Sequence, residues 1–426
     1  MKAFTICGVV AKCVSPPTHG RPRIGHSVRP RRFYISGAFI AAVSLNIVPA
    51  AWAAQISYTV KQIESLPGPF GGPLSVIGSG FNDTGQVAGS MYSRDDFLPV
   101  NAFITGPNGE GLHLLGTLPG DVNGGAAGVN NLGQVAGFSG RSPSRAFLSE
   151  ANGGSLHEIA PSAQGTESSA FAVNNRGQVT GYIHSPDLHA FLTAPNGGPT
   201  QDLGTLGGTL SVGYDVNDSG QVAGASSLAG GDVEHAFLSD KNGGTLHDLG
   251  TLGGKGSTAY GVNEHGQVVG YASLRGDRVA HAFLSRENGG SLIDLGTLGR
   301  FDSLAFAVND SGVVVGQSRV GNVYHAFIYS AGAGMQDLNS FIDPQLALEL
   351  SYANDVNERG QILATAIVDG QQQAFLLTPI NGVVDFGSTV ILLIGGLASL
   401  FGFKIVNRRS QDPCTAAAVD GAATET

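Results

Sequence analysis

The sequence predicts an all-β fold, a seven-bladed β-propeller with four short strands in each blade. A Val-Asn-x-x-Gly-Gln-Val-x-Gly motif recurs seven times at spacings of 43 to 48 residues, which is the usual length of a four-stranded propeller blade. No unit has an apolar stripe of helical period long enough for a helix. The first glycine of the motif falls at Gly85, Gly133, Gly177, Gly220, Gly266, Gly312 and Gly360.

The fifth unit predicts the strands of one blade. Small and apolar residues alternate before the turn Asn263–Gly266, where Gly266 supplies a positive φ. Another turn follows at Asn288-Gly289-Gly290. The predicted strands are Ala259–Val262, Gln267–Ala272, His281–Ser285 and Ser291–Leu295.

The two ends of the repeated region complement each other. Ile56–Ile63 resembles a fourth strand without the three that should precede it, and Gln373–Thr378 resembles a third strand without a clear fourth. We therefore expect the opening strand to complete the last blade, so that the ring has no free edge. The alternative is an open array or solenoid, which would need capping repeats that the sequence does not display.

Each unit also carries a triplet that ends in Ala-Phe, and we expect its phenylalanine to fill the core between blades. Burial of one such side chain contributes roughly 1.5–3 kcal/mol. The recurring asparagines and glycines are interpreted as turn residues. The phenylalanines are Phe103, Phe147, Phe191, Phe237, Phe283, Phe327 and Phe375.

Composition and charge exclude several classes of protein. Glycine accounts for 64 of 426 residues without a period of three, which excludes collagen, and 42% hydrophobic residues exclude general disorder. Residues 54–384 contain 13 basic and 29 acidic residues, so this body has a net charge of −16 and we expect no nucleic-acid partner. Its stability must come from packing, because all three cysteines lie outside it.

The N-terminal segment, residues 1–53, has the layout of a signal peptide. It holds seven basic residues and no acidic ones, and the cluster Arg29–Arg32 precedes an apolar run that ends in small residues. We expect cleavage after Ala53, with Ala51 and Ala54 as the flanking small residues. An uncleaved membrane-anchoring helix is the alternative. The adjacent Arg31 and Arg32 leave a twin-arginine signal open.

A second apolar run, from Val390 to Val406, is 17 residues long and ends near a basic stop formed by Lys404, Arg408 and Arg409. The short motif before it contains Val383, Asp385, Gly387, Ser388 and Thr389. Together these parts resemble the PEP-CTERM class of bacterial sorting tails, closest to its VPDSG variant, although Val384 and Phe386 depart from that motif. The resemblance implies processing by an exosortase and an association with exopolysaccharide. A plain membrane anchor is the alternative.

Accordingly, we divide the chain into a signal peptide (1–53), a propeller (54–380), a sorting motif with a transmembrane helix and basic stop (381–409), and a short cytoplasmic or removed tail (410–426). The repeats between Ile56 and Thr378 resemble the bacterial HAF family of extracellular repeat proteins, named for the His-Ala-Phe triplet. Four of the seven triplets keep the histidine. The resemblance implies an exported repeat protein and brings no catalytic residues with it.

Several repeated polar residues are candidate ligands, each with a structural alternative. His189, His235, His281 and His325 occupy equivalent positions where a metal is possible, but a hydrogen bond to a neighbouring blade is the simpler interpretation. The segments Asp215–Gly220 and Asp355–Gly360 resemble calcium loops, although Asx turns explain them without an ion. The equivalent carboxylates of Asp202, Asp248 and Asp294 are interpreted as scaffold acceptors. We therefore predict no cofactor and leave calcium as the alternative.

The sequence contains no catalytic constellation. We expect an exported, non-catalytic binding scaffold at the cell envelope, the outer surface or outside the cell, with a glycan or protein partner. A polysaccharide lyase or hydrolase on the same ring and a purely structural matrix protein are the alternatives. We expect the site where the repeats depart from symmetry, in Ser93–Val100, Ser226–Val233 or Asn339–Tyr352.

Overall fold

The computed structural model describes residues 58–66, 74–92, 99–141, 143–160, 167–184, 186–231 and 233–380. They form seven four-stranded antiparallel sheets, which confirms the predicted all-β, seven-bladed propeller. The helical content of these residues is limited to short 3₁₀ turns. These turns are Pro107–Gly109, Ala151–Gly153, Pro195–Gly197, Glu287–Gly289, Leu338–Phe341 and Pro344–Leu346.

The strands follow one another from the central channel outward in each blade. The described chain opens with β1 (Tyr58–Gln62). Blade 1 contains β2 (Ser75–Phe81), β3 (Val87–Tyr92), β4 (Pro99–Thr105) and β5 (Leu112–Leu114). Blade 2 contains β6 (Gly124–Val129), β7 (Val135–Ser139), β8 (Arg145–Ser149) and β9 (Leu156–Glu158). Blade 3 contains β10 (Ser168–Val173), β11 (Val179–His184), β12 (Leu188–Thr193) and β13 (Thr200–Asp202).

The remaining blades repeat this order. Blade 4 contains β14 (Gly207–Val216), β15 (Val222–Leu228), β16 (Glu234–Ser239) and β17 (Leu246–Asp248). Blade 5 contains β18 (Gly253–Val262), β19 (Val268–Leu274), β20 (Ala280–Ser285) and β21 (Leu292–Asp294). Blade 6 contains β22 (Ser303–Val308), β23 (Val314–Val320), β24 (Val323–Ser330) and β25 (Gly334–Asp337). Blade 7 contains β26 (Leu350–Val356), β27 (Ile362–Val368), β28 (Gln371–Pro379) and β1.

The N-terminal strand closes the ring. β1 pairs antiparallel with β28 from Tyr58 opposite Pro379 to Gln62 opposite Phe375, so the last blade receives its fourth strand from the start of the described chain. The open-array alternative is therefore wrong. In blade 5 the predicted strands are present, but the innermost one begins at Gly253 rather than Ala259. The sequence pattern missed that extension because it consists of glycine, lysine, serine and threonine rather than alternating apolar residues.

The apolar core lies between neighbouring blades. Phe237, for example, is fully buried in one cluster with Val216 and Val222 of its own blade and with Ala190 and Leu192 of the preceding blade. The corresponding phenylalanines of the first six blades have no exposed surface, and Phe375 of the last blade is 6% exposed. This repeated contact fixes each blade against the previous one.

Each innermost strand contains a β-bulge that shapes the channel wall. In β14, for instance, the register with β15 shifts between Gly213 and Asp215, so Tyr214 is an extra, unpaired residue. Bulges re-aim side chains and often occur beside functional sites. The extra residues of the seven blades are Ser79, Ala127, Phe171, Tyr214, Tyr260, Phe306 and Asn354.

The predicted signal peptide, its cleavage site at Ala51, Ala53 and Ala54, the sorting motif and the C-terminal span lie outside the described residues and stay predictions. Within the ranges that the structure describes, no helix has the length and apolar character needed to cross a membrane.

Candidate functional site

The propeller has two different faces. One, here called the turn face, carries the Asn-x-x-Gly turns that follow each innermost strand. The 3₁₀ turns after the third strands lie on the same face, since the backbone N–H of Gly109 donates to Gly85 and that of Gly197 donates to Gly177. The opposite face, here called the aromatic face, carries the starts of the first and third strands.

A closed ring of asparagine hydrogen bonds runs around the channel at the turn face. Each asparagine side chain donates from Nδ2 to the backbone oxygen of the equivalent asparagine in the next blade, over distances from 2.8 to 3.2 Å. In most blades Oδ1 accepts two backbone N–H groups of its own turn, as at Asn357. The turn residues therefore also join the blades. The ring consists of Asn82, Asn130, Asn174, Asn217, Asn263, Asn309 and Asn357.

A second ring lies beside it. It is formed by the residues that directly follow the ring asparagines. The backbone N–H of each donates to a side-chain oxygen of the equivalent residue in the next blade. The backbone N–H of Glu358 closes the circle by donating to Asp83 Oδ1 at 3.1 Å. Five of its seven members are acidic. They are Asp83, Asn131, Asn175, Asp218, Glu264, Asp310 and Glu358. Burial is the main cause that raises the pKa values of Glu264 and Glu358.

Two carboxylates line the channel between its two faces. Asp215 accepts backbone N–H groups from Val216 and from Val262 of the next blade, each at 2.8 Å. Asp355 does the same with Val356 at 2.8 Å and with Phe81 of blade 1 at 3.1 Å. The first positions of the two calcium-like segments thus serve as acceptors between blades, rather than only within their own turns.

Burial raises the pKa of Asp215 to about 6 and that of Asp355 to about 7, and the charge of Asp215 adds to the shift at Asp355. Their backbone hydrogen bonds act in the opposite direction. Both side chains line a channel cavity of about 240 Å³. Both carboxyl groups therefore titrate close to neutral pH.

We predict that Asp355→Ala flattens the pH dependence of stability. A pKa raised to about 7 from 3.8 means that the folded state binds the proton more tightly than the unfolded state. The free energy of unfolding therefore falls as pH rises from about 4 to about 7 and is level above that range. Urea unfolding measures the free energy of unfolding at pH 4.5 and at pH 8, and the difference between the two values should be ~3 kcal/mol smaller in the variant than in the wild-type protein. Glu64→Ala, at an exposed carboxylate, is the control, and an unchanged profile in Asp355→Ala would contradict the assignment.

An arc of four aromatic rings lines the channel above these carboxylates. The rings belong to the bulge residues of blades 3 to 6, Phe171, Tyr214, Tyr260 and Phe306, and all four are half-buried. Phe171 stacks on Tyr214 at a centroid distance of 5.6 Å, and Tyr260 meets Tyr214 at 5.3 Å and Phe306 at 5.7 Å. The other three blades place small or polar residues at this position. The aromatic arc therefore breaks the sevenfold symmetry of the channel.

Two clefts lie at the sides of the aromatic arc. The blade 2–3 cleft, of about 310 Å³, is lined by Asn123, Phe138, Gly140, Arg141, Ser144, Glu167, Ser169, Phe171 and Tyr182. The blade 4–5 cleft, of about 410 Å³, is lined by Gly231, Val233, Glu234, Lys255, Gly256, Ser257, Thr258, Tyr271 and Ser273. The blade 2–3 cleft contains three aromatic rings and the blade 4–5 cleft contains one, and each cleft also has one glutamate and one basic residue. Their volumes lie in the lower part of the range of small-ligand sites, which is about 300–1,000 Å³.

The repeated histidines pair with carboxylates within their own blades, so the expected bond to a neighbouring blade is not their main contact. His189 Nδ1 lies 2.9 Å from Asp202, and His281 Nδ1 lies 2.9 Å from Asp294. His235 pairs with Asp248 in the same way, and its Nε2 also lies 2.9 Å from the backbone oxygen of Lys255 in the next blade. Across the described ranges, no group of three or more potential ligands is arranged to hold a metal ion.

The asymmetric segments singled out in the sequence have different outcomes. Residues 93–98 lie outside the described part, and among the described residues of the Ser226–Val233 insert Gly231 and Val233 line the blade 4–5 cleft. Asn339–Tyr352 lines neither cleft. Sequence reasoning missed the aromatic arc. An alignment of the seven units would reveal it, because the position three residues before each ring asparagine is aromatic in four consecutive blades.

Comparisons with known proteins match parts of this chain. A family model described as "Protein of unknown function (DUF3466)" matches residues 205–391. No curated protein matches the chain. Among solved structures, an oligogalacturonate lyase in complex with manganese is similar over 76% of this chain and 97% of its own, at 12% identity and a TM-score of 0.48.

Two further solved structures are similar over comparable lengths. The β-propeller domain of the Trilobed protease from Pyrococcus furiosus matches over 74% of this chain and 99% of its own, at 10% identity and a TM-score of 0.49. YCF48 bound to D1 peptide matches over 76% and 95%, at 12% identity and a TM-score of 0.46. At these identities and TM-scores, we draw no conclusion about this chain from the likeness.

Proposed function

We propose that this protein is an exported, non-catalytic propeller that binds carbohydrate of the cell surface or extracellular matrix at its aromatic face. The observation that carries the proposal is the aromatic arc formed by Phe171, Tyr214, Tyr260 and Phe306. A structural role alone would be met by the small or polar residues that the other three blades place at the same position.

The chemistry of the aromatic face suits a sugar. One side of a pyranose ring presents C–H groups that pack on an aromatic ring, while its hydroxyl groups both donate and accept hydrogen bonds. Near the arc, the carboxylates of Glu167 and Glu234 offer acceptors, and Arg141 and Lys255 offer donors. A recessed site of this size favours a slender ligand over the broad surface that a stable protein–protein interface needs.

The ends of the described chain support a surface role. Ile380 follows β28, whose last residues lie at the turn face, where Gln361 Nε2 donates to Thr378 Oγ1 at 3.1 Å. Tyr58 pairs there with Pro379. Both ends therefore leave the propeller from the turn face. Residues 390–406, which their apolar composition predicts to be a membrane anchor, follow in the chain after this end. The resemblance to HAF repeats and PEP-CTERM tails favours the same location.

Co-sedimentation with a panel of insoluble neutral and acidic polysaccharides tests the proposal. We expect the wild-type protein to sediment with at least one of them and the double variant Tyr214→Ala/Tyr260→Ala to lose at least nine-tenths of that binding. Leu132→Ala, at an exposed turn-face residue, is the matched control and should bind normally. Equal binding by the double variant, with its fold verified by circular dichroism, would contradict the proposal.

A second candidate function is the cleavage of polysaccharide on the same ring. The observation that favours it is the pair Asp215 and Asp355, because carboxyl groups whose pKa values lie at about 6 and about 7 can transfer protons near neutral pH. New reducing ends or unsaturated products in the same incubation, lost in Asp355→Asn, would establish this activity. If the incubation showed no binding and no products, a purely structural matrix role would be the better account.

A further inference from the structure

We propose that the two clefts beside the aromatic arc hold separate sugar residues of one linear, neutral glycan. This inference rests on the proposed function, since it assumes that the arc contacts carbohydrate. It adds that the ligand is several residues long and uncharged. It also adds the path of the ligand, from the blade 2–3 cleft, along the arc, to the blade 4–5 cleft.

A continuous line of aromatic contacts joins the clefts. Tyr182 in the blade 2–3 cleft lies 5.7 Å from Phe171, at the start of the arc. At the other end, Tyr260 lies 5.8 Å from Tyr271 in the blade 4–5 cleft. Successive ring centroids are 5.3 to 5.8 Å apart, and the interplanar angles range from 11° to 69°, so the rings pack against one another. A ligand of several residues can therefore contact the ring surfaces that line the clefts and the channel between them.

The blade 2–3 cleft contains a polar atom that needs a donor. Asn123 Oδ1 is buried and accepts no hydrogen bond from the residues that the structure describes. Leaving such an acceptor unsatisfied costs about 1–3 kcal/mol, so native structures rarely do so without a reason. A sugar hydroxyl bound in the cleft would supply the missing donor, and neighbouring Ser144 and Glu167 already hydrogen-bond each other at 3.1 Å.

The two clefts have the same balance of charge. Arg141 and Glu167 line the first, and Lys255 and Glu234 line the second, so each contains one positive and one negative side chain. Over the ranges described, neither Arg141 nor the Lys255 ammonium forms an ion pair. The surrounding body carries a net charge of −16, which repels polyanions. A neutral glycan suits both the balanced charge of the clefts and the negative charge of the body, whereas a polyuronate, which is a polyanion, does not.

Calorimetric titration of the full chain with cello-oligosaccharides and malto-oligosaccharides of two, four and six residues tests the inference, with oligogalacturonides as acidic probes. In at least one neutral series we expect the six-residue probe to bind at least tenfold more tightly than the disaccharide. Asn123→Ala and Tyr271→Ala should each weaken binding of the longest probe about tenfold and change disaccharide binding less than twofold. Tyr324→Ala, at an exposed tyrosine outside both clefts, is the control.

The outcomes separate the two proposals. Binding that depends on Tyr214 and Tyr260 but not on probe length or on the cleft residues would overturn the two-cleft inference and leave the carbohydrate-binding function standing. Tighter binding of the acidic probes would overturn the assignment of a neutral ligand. If no probe and no polysaccharide bound through the arc, the proposed function itself would fall.

Discussion

Phe237→Ala should lower the free energy of unfolding by about 3–5 kcal/mol, the usual cost of removing a buried aromatic ring from a core. Phe237 has no exposed surface and fills the space between blades 3 and 4. The propeller has neither a disulfide nor a long helix among its described residues to compensate for a cavity there. Urea unfolding followed by circular dichroism measures the loss.

His235→Ala is the matched comparison, because His235 lies two residues away on the same strand. Its contacts are the carboxylate of Asp248 and the backbone oxygen of Lys255, at a partly exposed site. An exposed pair of this kind contributes up to about 1 kcal/mol. Equal losses for the two variants would show that the phenylalanine is not the main inter-blade contact.

Asn217→Asp should be the most damaging change at the turn face. The amide Nδ2 of Asn217 donates to the backbone oxygen of Asn263 and to Gln221 Oε1, both at 3.0 Å, and the residue is 4% exposed. A carboxylate in its place would put an oxygen that cannot donate next to the two oxygens that accept these hydrogen bonds. We expect a loss of roughly 2–4 kcal/mol at pH 8, from the broken bonds and the unpaired buried charge.

The sign of the pH dependence provides a second check on this variant. Burial against two acceptors would raise the pKa of the new carboxyl group in the folded state, and its protonated form can donate one of the lost bonds. The variant should therefore recover part of its stability as the pH is lowered from 8 to 5. Asn322→Asp, in an exposed hairpin, should remain within about 0.5 kcal/mol of wild type. A loss at Asn217 no larger than that would contradict the role of the asparagine ring.

The repeats made the fold predictable. Seven copies of one motif, with an incomplete unit at each end, define both the blade number and the closure between β1 and β28. The ring of asparagines could not be predicted in this way, because residues spaced 43 to 48 positions apart become neighbours only when consecutive blades pack against each other. The pattern identified Asn217 as a turn residue, whereas its contact with blade 5 depends on the packing angle between blades.

The candidate site was less predictable for a similar reason. Tyr214 and Tyr260 lie in strands, where an aromatic residue ordinarily indicates core packing. The β-bulge directs them to the channel, and nothing in the local sequence specifies a bulge. From the sequence, Asp215 is interpreted as part of an Asx turn, with a calcium loop as the alternative, because oxygen-bearing residues stand at alternate positions before Gly220. In the structure the same bulge turns its carboxylate toward Val262 of the next blade.

Saturation-transfer difference NMR tests the central claim most directly, because it reports which protons of a sugar touch the aromatic rings of the protein. Irradiation of the aromatic protons, in the presence of the polysaccharide fragment that binds best, should transfer saturation to the C–H protons of one sugar face. Tyr214→Ala/Tyr260→Ala should abolish most of that transfer, while Leu132→Ala should leave it unchanged. Undiminished transfer in the folded double variant would contradict carbohydrate binding at the aromatic arc.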